Sequence, residues 1–376
     1  MKLTLTKEAL THALDRASRV VERRNTVPVL ANVLLRTDGE HLCVTATDLD
    51  SVITTRAQAK IEHAGETTVH AHTLSDFVKK LPASQVVTLE QPAGEPRVIL
   101  RAGRTRLNLP TISPAEFPVF DVGDPQSAFQ LPASRLATAI ERVSFAISTE
   151  ETRYYLNGIY LDPVETEDGP ALTAVATDGH RLGLQKMLAP EGAQYLKPII
   201  IPRKAVDTIT KILKPLDDEP AGLAISAHLL TLTAGSTVYS TKLIDGTYPD
   251  YTRVIPSGGD QKATLTAAAL SAAVDRVITV AGERSKAVKF SFGEPTRETL
   301  TLTVTNPDSG DATDTVDIAY EGEPMQIGFN GRYVLDILGA LQAESLLITL
   351  SDAGSPALIT PVGRDDTRAV LMPMRV

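Results

Sequence analysis

The tetrapeptide Asp178-Gly179-His180-Arg181 is the part of the chain best equipped for chemistry. A carboxylate and an imidazole so close together can share acid–base work. No nucleophile or cofactor motif accompanies them. The sequence holds no G-x-S-x-G elbow, no G-x-x-x-x-G-K-[ST] phosphate loop, no G-x-G-x-x-G fingerprint and no H-E-x-x-H. Gly179 therefore reads as the residue that lets the chain turn tightly after a strand. His63, His70 and His72 lie close in sequence, and in an extended stretch His70 and His72 would share a face. No carboxylate at ligand spacing joins them. A single Cys43 excludes an intramolecular disulfide and a zinc site of several thiolates. The expectation is a protein with no catalytic residue, no metal and no cofactor.

Residues 369–376 offer a different chemistry. They form an apolar run at a chain end, where a frayed polar tail is usual. Met372 and Met374 flank Pro373, a combination that gives an adaptable apolar surface. A last strand reaching Met372, with the final residues lining a groove, accommodates both properties.

The elements that must position these residues recur. Leu5, Leu10, Ala13, Leu14, Asp15 and Arg16 reappear as Leu131, Leu136, Ala139, Ile140, Glu141 and Arg142. They appear again as Leu265, Leu270, Ala273, Val274, Asp275 and Arg276, at intervals of 126 and 134 residues. Period-two alternation marks a half-buried strand in each unit: Leu42, Val44, Ala46; Leu172, Ala174, Ala176; Leu300, Leu302, Val304. Each such strand ends in a similar dipeptide, Thr47-Asp48, Thr177-Asp178 or Thr305-Asn306. A second helix follows, with one apolar face: Leu74, Val78, Leu81; Val206, Ile209, Leu213; Val334, Ile337, Leu338, Leu341. Residues 121–127 and 256–260 read as linkers. The prediction is an α+β chain of three repeated domains, 1–122, 128–254 and 260–376, each with two helices packed on antiparallel sheet.

The chain has 376 residues, 43% of them hydrophobic, 22% charged and none of them Trp, which excludes a disordered class. No run of about 18 apolar residues exists. Residues 1–5 alternate polar and apolar, unlike a signal peptide, so a cytoplasmic protein is expected. The net charge of −9 argues against tight electrostatic binding of nucleic acid, unless charge is segregated between faces. Basic residues do concentrate in the helical regions. Arg16, Arg19, Arg23 and Arg24 follow the first stripe, and Arg142 and Arg276 repeat Arg16. The second helices carry Lys79, Lys80, Arg203, Lys204, Lys211 and Lys214. Acidic residues gather at 165–168 and 217–219. A basic helical face on an acidic body would suit sequence-independent phosphate contact.

Several segments together resemble the bacterial sliding clamps, the beta subunits of DNA polymerase III holoenzyme, over essentially the full length. They are Arg153-Tyr154-Tyr155-Leu156-Asn157-Gly158, residues 176–182 around Asp178-Gly179-His180-Arg181, Ile201-Pro202-Arg203-Lys204, residues 245–251 (DGTYPDY), and Met372-Pro373-Met374-Arg375. The resemblance implies a head-to-tail homodimer closed into a six-domain ring that encloses double-stranded DNA without reading its sequence. It implies a pocket between the second and third domains for short peptides. Their sources would be the polymerase III alpha subunit, the clamp loader, other polymerases, and mismatch-repair or ligase proteins.

Carried over residue by residue, that pocket would use Leu156, then Thr177, Gly179, His180, Arg181 and Leu182, then Pro249, Arg253 and Val254, and finally Val370, Leu371, Met372, Pro373 and Met374. DNA contacts would come from Arg24, Tyr154, Tyr155, Arg203 and Lys204. The subunit interface would set Leu107 and Leu109 against Thr279 and Val280, where Thr279 is more polar than an apolar contact favours. Glu150 departs from the family pattern by placing an acid where DNA would pass.

Two other readings compete. An acid–base enzyme centred on Asp178 and His180 would show turnover that is lost on His180→Ala. A monomeric, triplicated interaction scaffold would show no retention on circular DNA.

Overall fold

The computed structural model describes residues 1–282 and 286–376. Its helices are α1 (Lys7–Ala17), α2 (Ala71–Lys79), α3 (Ala133–Ser144), α4 (Arg203–Leu213), α5 (Ala267–Val277) and α6 (Gly331–Leu341). Strands Lys2–Thr6, Ser127–Pro132 and Gln261–Thr266 run directly into α1, α3 and α5. Thus the recurring Leu5, Leu131 and Leu265 are each the last residue but one of a strand, and the template from the second residue after each Leu is a helix.

Local chemistry sets the helix ends. The Thr6 hydroxyl accepts from the Ala9 N–H at 3.2 Å and caps α1. The buried stripe of α1 is Leu10, Ala13, Leu14 and Ala17, spaced by three and four residues. Asn330 Oδ1 accepts from Arg332 and Tyr333 N–H and starts α6, which Gln342 stops in a left-handed conformation at φ 47°. His70 does not line a strand face beside His72, as its extended context suggested. Its Nδ1 accepts from the Thr73 N–H at 3.3 Å and caps α2, while His72 lies inside that helix with Nε2 3.1 Å from the Val21 carbonyl.

The strands form three antiparallel sheets of 5, 8 and 12 strands among the described residues. The Thr-Asp dipeptides build one turn twice. Thr47 Oγ1 donates to the Ser51 carbonyl at 2.8 Å, and Asp48 Oδ1 accepts from Ser51 N–H at 2.7 Å. Thr177 Oγ1 donates to the Arg181 carbonyl at 2.8 Å, and Asp178 Oδ1 accepts from Arg181 N–H at 3.0 Å. Both turns need one residue at positive φ, Leu49 at 75° and Gly179 at 87°.

Sheets continue across repeat borders. Strand Thr237–Lys242 pairs with Ser51–Gln58, and Thr367–Leu371 pairs with Arg181–Leu188. The chain accordingly groups into two bodies. One comprises Met1–Ala137, Pro190–Leu196 and Asp207–Leu243; the other comprises Thr138–Ala189, Lys197–Val206 and Ile244–Val376. In the second body the core of the third repeat is built on Phe290, Phe292 and Phe329, each at most 2% exposed. The Phe290 and Phe329 rings meet edge to face at 5.2 Å.

The expected basic face of the first helices is smaller than the sequence suggests. Arg16 is only 7% exposed, and its Nη1 donates to Thr237 Oγ1 at 2.5 Å. Arg142 Nη1 donates to Gln185 Oε1 at 2.8 Å and Thr367 Oγ1 at 3.2 Å. A strand arriving from the next repeat covers each guanidinium, and the long apolar stem lets it reach that strand. Burial also makes both side chains easier to deprotonate than a free Arg. Arg19, Arg23 and Arg24 are exposed, but α1 ends at Ala17, so they occupy the following turn and loop.

Candidate functional site

The second body brings three distant segments together. Leu182 pairs with Val370 and Arg181 with Leu371, and the Met372 N–H donates to the His180 carbonyl at 2.9 Å. Leu156, Leu182 and Val370 share a buried cluster with Val175, Ile200, Tyr248 and Tyr251, against which Ile255 packs. The Tyr248 ring stacks on Tyr160 at 4.5 Å, and the Tyr251 hydroxyl donates to Asp162 at 3.0 Å. Burial pushes both the Tyr248 and Tyr251 hydroxyls up and keeps them neutral.

The named residues divide by depth. Leu156, Leu182, Val370 and Leu371 are buried supports. Gly179, His180, Pro249, Arg253, Val254 and Met372 are exposed, and Thr177, Arg181, Pro373 and Met374 are half-buried. Val254 is 47% and Met372 40% exposed, so apolar surface is left in water at this place. Met374 is tied down by an N–H bond of 2.9 Å to the Gly328 carbonyl. A Cβ on Gly328 would come within 2.3 Å of the Met374 carbonyl, so only glycine admits that approach.

Arg181 organises the polar part. Its Nε lies 3.0 Å from Asp178 Oδ2 and its Nη1 2.7 Å from Asp336 Oδ2. The guanidinium sits over the Tyr333 ring at 4.2 Å, and the His180 ring lies 6.4 Å from the same tyrosine. Arg153 crosses behind the turn: Nη2 donates to the Asp178 carbonyl at 3.1 Å and pairs with Glu150 at 2.7 Å. The hydrogen bond from Arg153 holds the Glu150 carboxyl below the usual carboxylate range. Glu150 is thus neutralised locally. Arg153, Tyr333 and Asp336 were not foreseen as site residues. The stripe of Val334, Ile337, Leu338 and Leu341 marks only the apolar side of α6, and Tyr333 and Asp336 lie off it.

The residues assigned to DNA occupy two places. Tyr154 is 53% exposed, and its ring meets Tyr155 edge-on at 5.8 Å. Gly246 lets its loop lie against them, since a Cβ there would stand 3.1 Å from Tyr155 Cβ. The Arg203 N–H donates to the Asn157 carbonyl at 2.9 Å, which sets the exposed start of α4, with Arg203 and Lys204, beside that pair. Arg24 lies exposed in the first body. Of the interface residues, Leu109 is buried and Leu107 half-buried on strand Thr105–Pro110, Thr279 is exposed, and Val280 is half-buried. Among the described residues no group of three or more His, Cys, Asp or Glu could hold a metal ion. No helix among them is long and apolar enough to cross a membrane.

A triplicated α+β chain with a solvent-exposed apolar site and an aromatic-basic surface defines a clamp-type binding protein. Family models agree in three consecutive parts: the DNA polymerase III beta subunit N-terminal domain over residues 1–121, its central domain over 130–250 and its C-terminal domain over 252–375. The beta sliding clamp of Caulobacter vibrioides is 41% identical over 376 residues and that of Escherichia coli 34% over 378, each covering both chains completely. Among solved structures, the Bartonella birtlesii sliding clamp bound to griselimycin is 42% identical with a TM-score of 0.95, covering all of both chains. The Caulobacter crescentus clamp, with polyethylene glycol at a region proposed for beta-motif tethering, is 41% identical at 0.95, covering 100% of this chain and 99% of that one. The chain belongs to the bacterial DNA polymerase III beta subunit family, the beta sliding clamps. Its function is that of a non-catalytic processivity factor in DNA replication, with DNA and polymerase as partners.

Proposed function

We propose that two copies of the chain close head to tail into a ring around duplex DNA in the bacterial cytoplasm. The repeats act as domains with boundaries near 1–122, 128–254 and 260–376. Arg24, Tyr154, Tyr155, Arg203 and Lys204 supply loose, sequence-independent contact with the backbone. Leu107 and Leu109 of one copy approach Thr279 and Val280 of the other. Glu150, paired with Arg153, adds no phosphate contact.

The surface around His180, Val254 and Met372 receives short apolar peptides from the polymerase alpha subunit, the clamp loader, other polymerases, and mismatch-repair or ligase proteins. One observation carries this part: the ladder from Leu182–Val370 to the His180–Met372 hydrogen bond fixes the chain end beside the 178–181 turn. That ladder leaves apolar side chains rigidly presented to solvent, which suits capture of a peptide anchor.

Loading onto circular and linear DNA tests the ring. Protein loaded on a nicked circle by a clamp loader should stay bound through gel filtration and leave when the circle is cut once. Equal loss from intact and cut circles would refute enclosure and favour the scaffold reading. Turnover of any substrate that disappears on His180→Ala would favour the enzyme.

A further inference from the structure

His70 and His72 carry chemistry that neither binding surface above uses, and each ring has a different task. Both stand at the start of α2. His70 Nδ1 caps the helix by accepting from the Thr73 N–H. His72 is the second residue of the helix, and its Nε2–H donates to the Val21 carbonyl at 3.1 Å, across 51 residues of sequence. A carbonyl can only accept, so the imidazole carries a proton on Nε2 there.

Val21 belongs to the loop that joins α1 to strand Asn32–Asp38. The chain keeps turning past Ala17: the Arg19 N–H donates to the Arg16 carbonyl and the Val20 N–H to the Ala17 carbonyl, both at 3.2 Å. Val20 and Val21 are buried, which anchors this end of the loop. The far end is a tight turn, where Asn25 Oδ1 accepts from the Val27 N–H at 3.0 Å and the Leu30 N–H donates to the Val27 carbonyl at 3.1 Å. Between the two ends lie Glu22, Arg23 and Arg24, all exposed. The His72 bond therefore falls on the last buried residue before the arginines. His72 is a firm post for it. Ala71, Leu74, Ser75 and Val78 bury one face of α2, and Lys79 ties α2 to α1 by pairing with Asp15 at 2.7 Å and by accepting, through its carbonyl, from Lys7 Nζ at 3.1 Å. The segment after α3 that carries Tyr154 and Tyr155 is held as well, by the Ser148 N–H donating to the Leu156 carbonyl at 3.1 Å.

We infer that His72 is a positioning residue for DNA contact: it holds the Val21 carbonyl so that Arg24, with Arg23 beside it, meets a phosphate already ordered. This rests on the DNA role proposed above for Arg24 and adds the side chain that presents it. A loop free to move loses entropy when its arginine meets phosphate, and that loss subtracts from the contact. A donor fixed on α2 removes the loss in advance. His72 is half-buried and already commits its Nε2–H to the loop, so it acts through the arginines and not on phosphate itself.

Fluorescence anisotropy of a labelled open-ended duplex at low salt tests this in the full-length protein. His72→Leu and His72→Ser both remove the donor, and circular dichroism shows which of them folds; one folded variant is enough to decide. His72→Gln keeps an N–H at the reach of Nε2. Loss of the donor should weaken duplex binding about threefold to tenfold, the equivalent of one net hydrogen bond, and His72→Gln should stay within about twofold of the parent. In an Arg23→Ala, Arg24→Ala background the same loss should add less than about twofold, a non-additivity that a merely structural role would not produce. Hydrogen exchange reads the tie itself: amides of 21–27 should lose protection without the donor while those of α1 keep theirs. Full affinity in a folded donor-less variant, additive losses, unchanged protection of 21–27, or a Gln variant as weak as the Leu one overturns the positioning role and leaves Arg24 on DNA. Unchanged affinity when Arg23 and Arg24 are both replaced overturns that DNA role and the inference with it.

Discussion

At the residue scale, Gly179 shows how one position serves both backbone and surface. Its φ of 87° is unfavourable for a residue with a Cβ, and a Cβ would meet Arg153 Nη1 at 2.7 Å. Leu49 accepts the same kind of φ in the equivalent turn of the first repeat, so the turn itself can form without glycine. The difference is Arg153, which must then leave the Asp178 carbonyl. Gly179→Ala is expected to cost about 1–3 kcal/mol of stability and to weaken binding of a labelled clamp-binding peptide several-fold. Thermal denaturation and fluorescence anisotropy read the two effects. A folded variant with unchanged peptide affinity would remove the turn from the binding surface. The glycine was legible in sequence because a Gly after Thr-Asp at a strand end has few other uses. Arg153 and Asp336 were not, since both act across sequence separations of 25 and 155 residues.

At the element scale, the repeated template of strand and helix was plain in the sequence, because Leu, Ala and aliphatic positions at fixed spacing leave little choice of helix face. Arg16 was misleading for the opposite reason. A charged residue beside a buried stripe reads as solvated, and its partner Thr237 is 221 residues away. The division into two bodies was hidden likewise, since pairing of Ser51–Gln58 with Thr237–Lys242 crosses a repeat border that the sequence period marks as a boundary. The structure therefore predicts a structural role for Arg16. Arg16→Ala removes a buried donor but leaves the Thr55 and Thr237 hydroxyls 3.3 Å apart, able to satisfy each other. A loss of about 1–3 kcal/mol in urea denaturation is expected, with little change on Arg19→Ala, whose side chain is exposed. Equal effects of the two would place Arg16 back on the solvated face.

At the scale of the whole molecule, the net charge of −9 and the small set proposed for DNA, Arg24, Tyr154, Tyr155, Arg203 and Lys204, leave little capacity for gripping phosphate. A protein that holds duplex by 6–10 phosphate contacts loses about 10³–10⁵ in affinity between 50 and 200 mM salt. Enclosure removes that dependence, because escape requires a joint between copies to open and not the rupture of phosphate contacts. The expected signature is a split in salt response. Dwell on a closed circle, after loading and removal of the loader, should change less than tenfold across that range. Direct binding of the unloaded protein to open-ended duplex should be weak throughout and fall steeply. Arg203→Ala combined with Lys204→Ala should lower the second further while leaving dwell on the circle within about twofold. If dwell on the circle fell in parallel with the open-ended binding, phosphate contact would be the retaining force and the acidic body would need another explanation. If instead dwell on the circle followed the dimer dissociation constant measured at each salt concentration, the joint between copies would be the element that sets the lifetime.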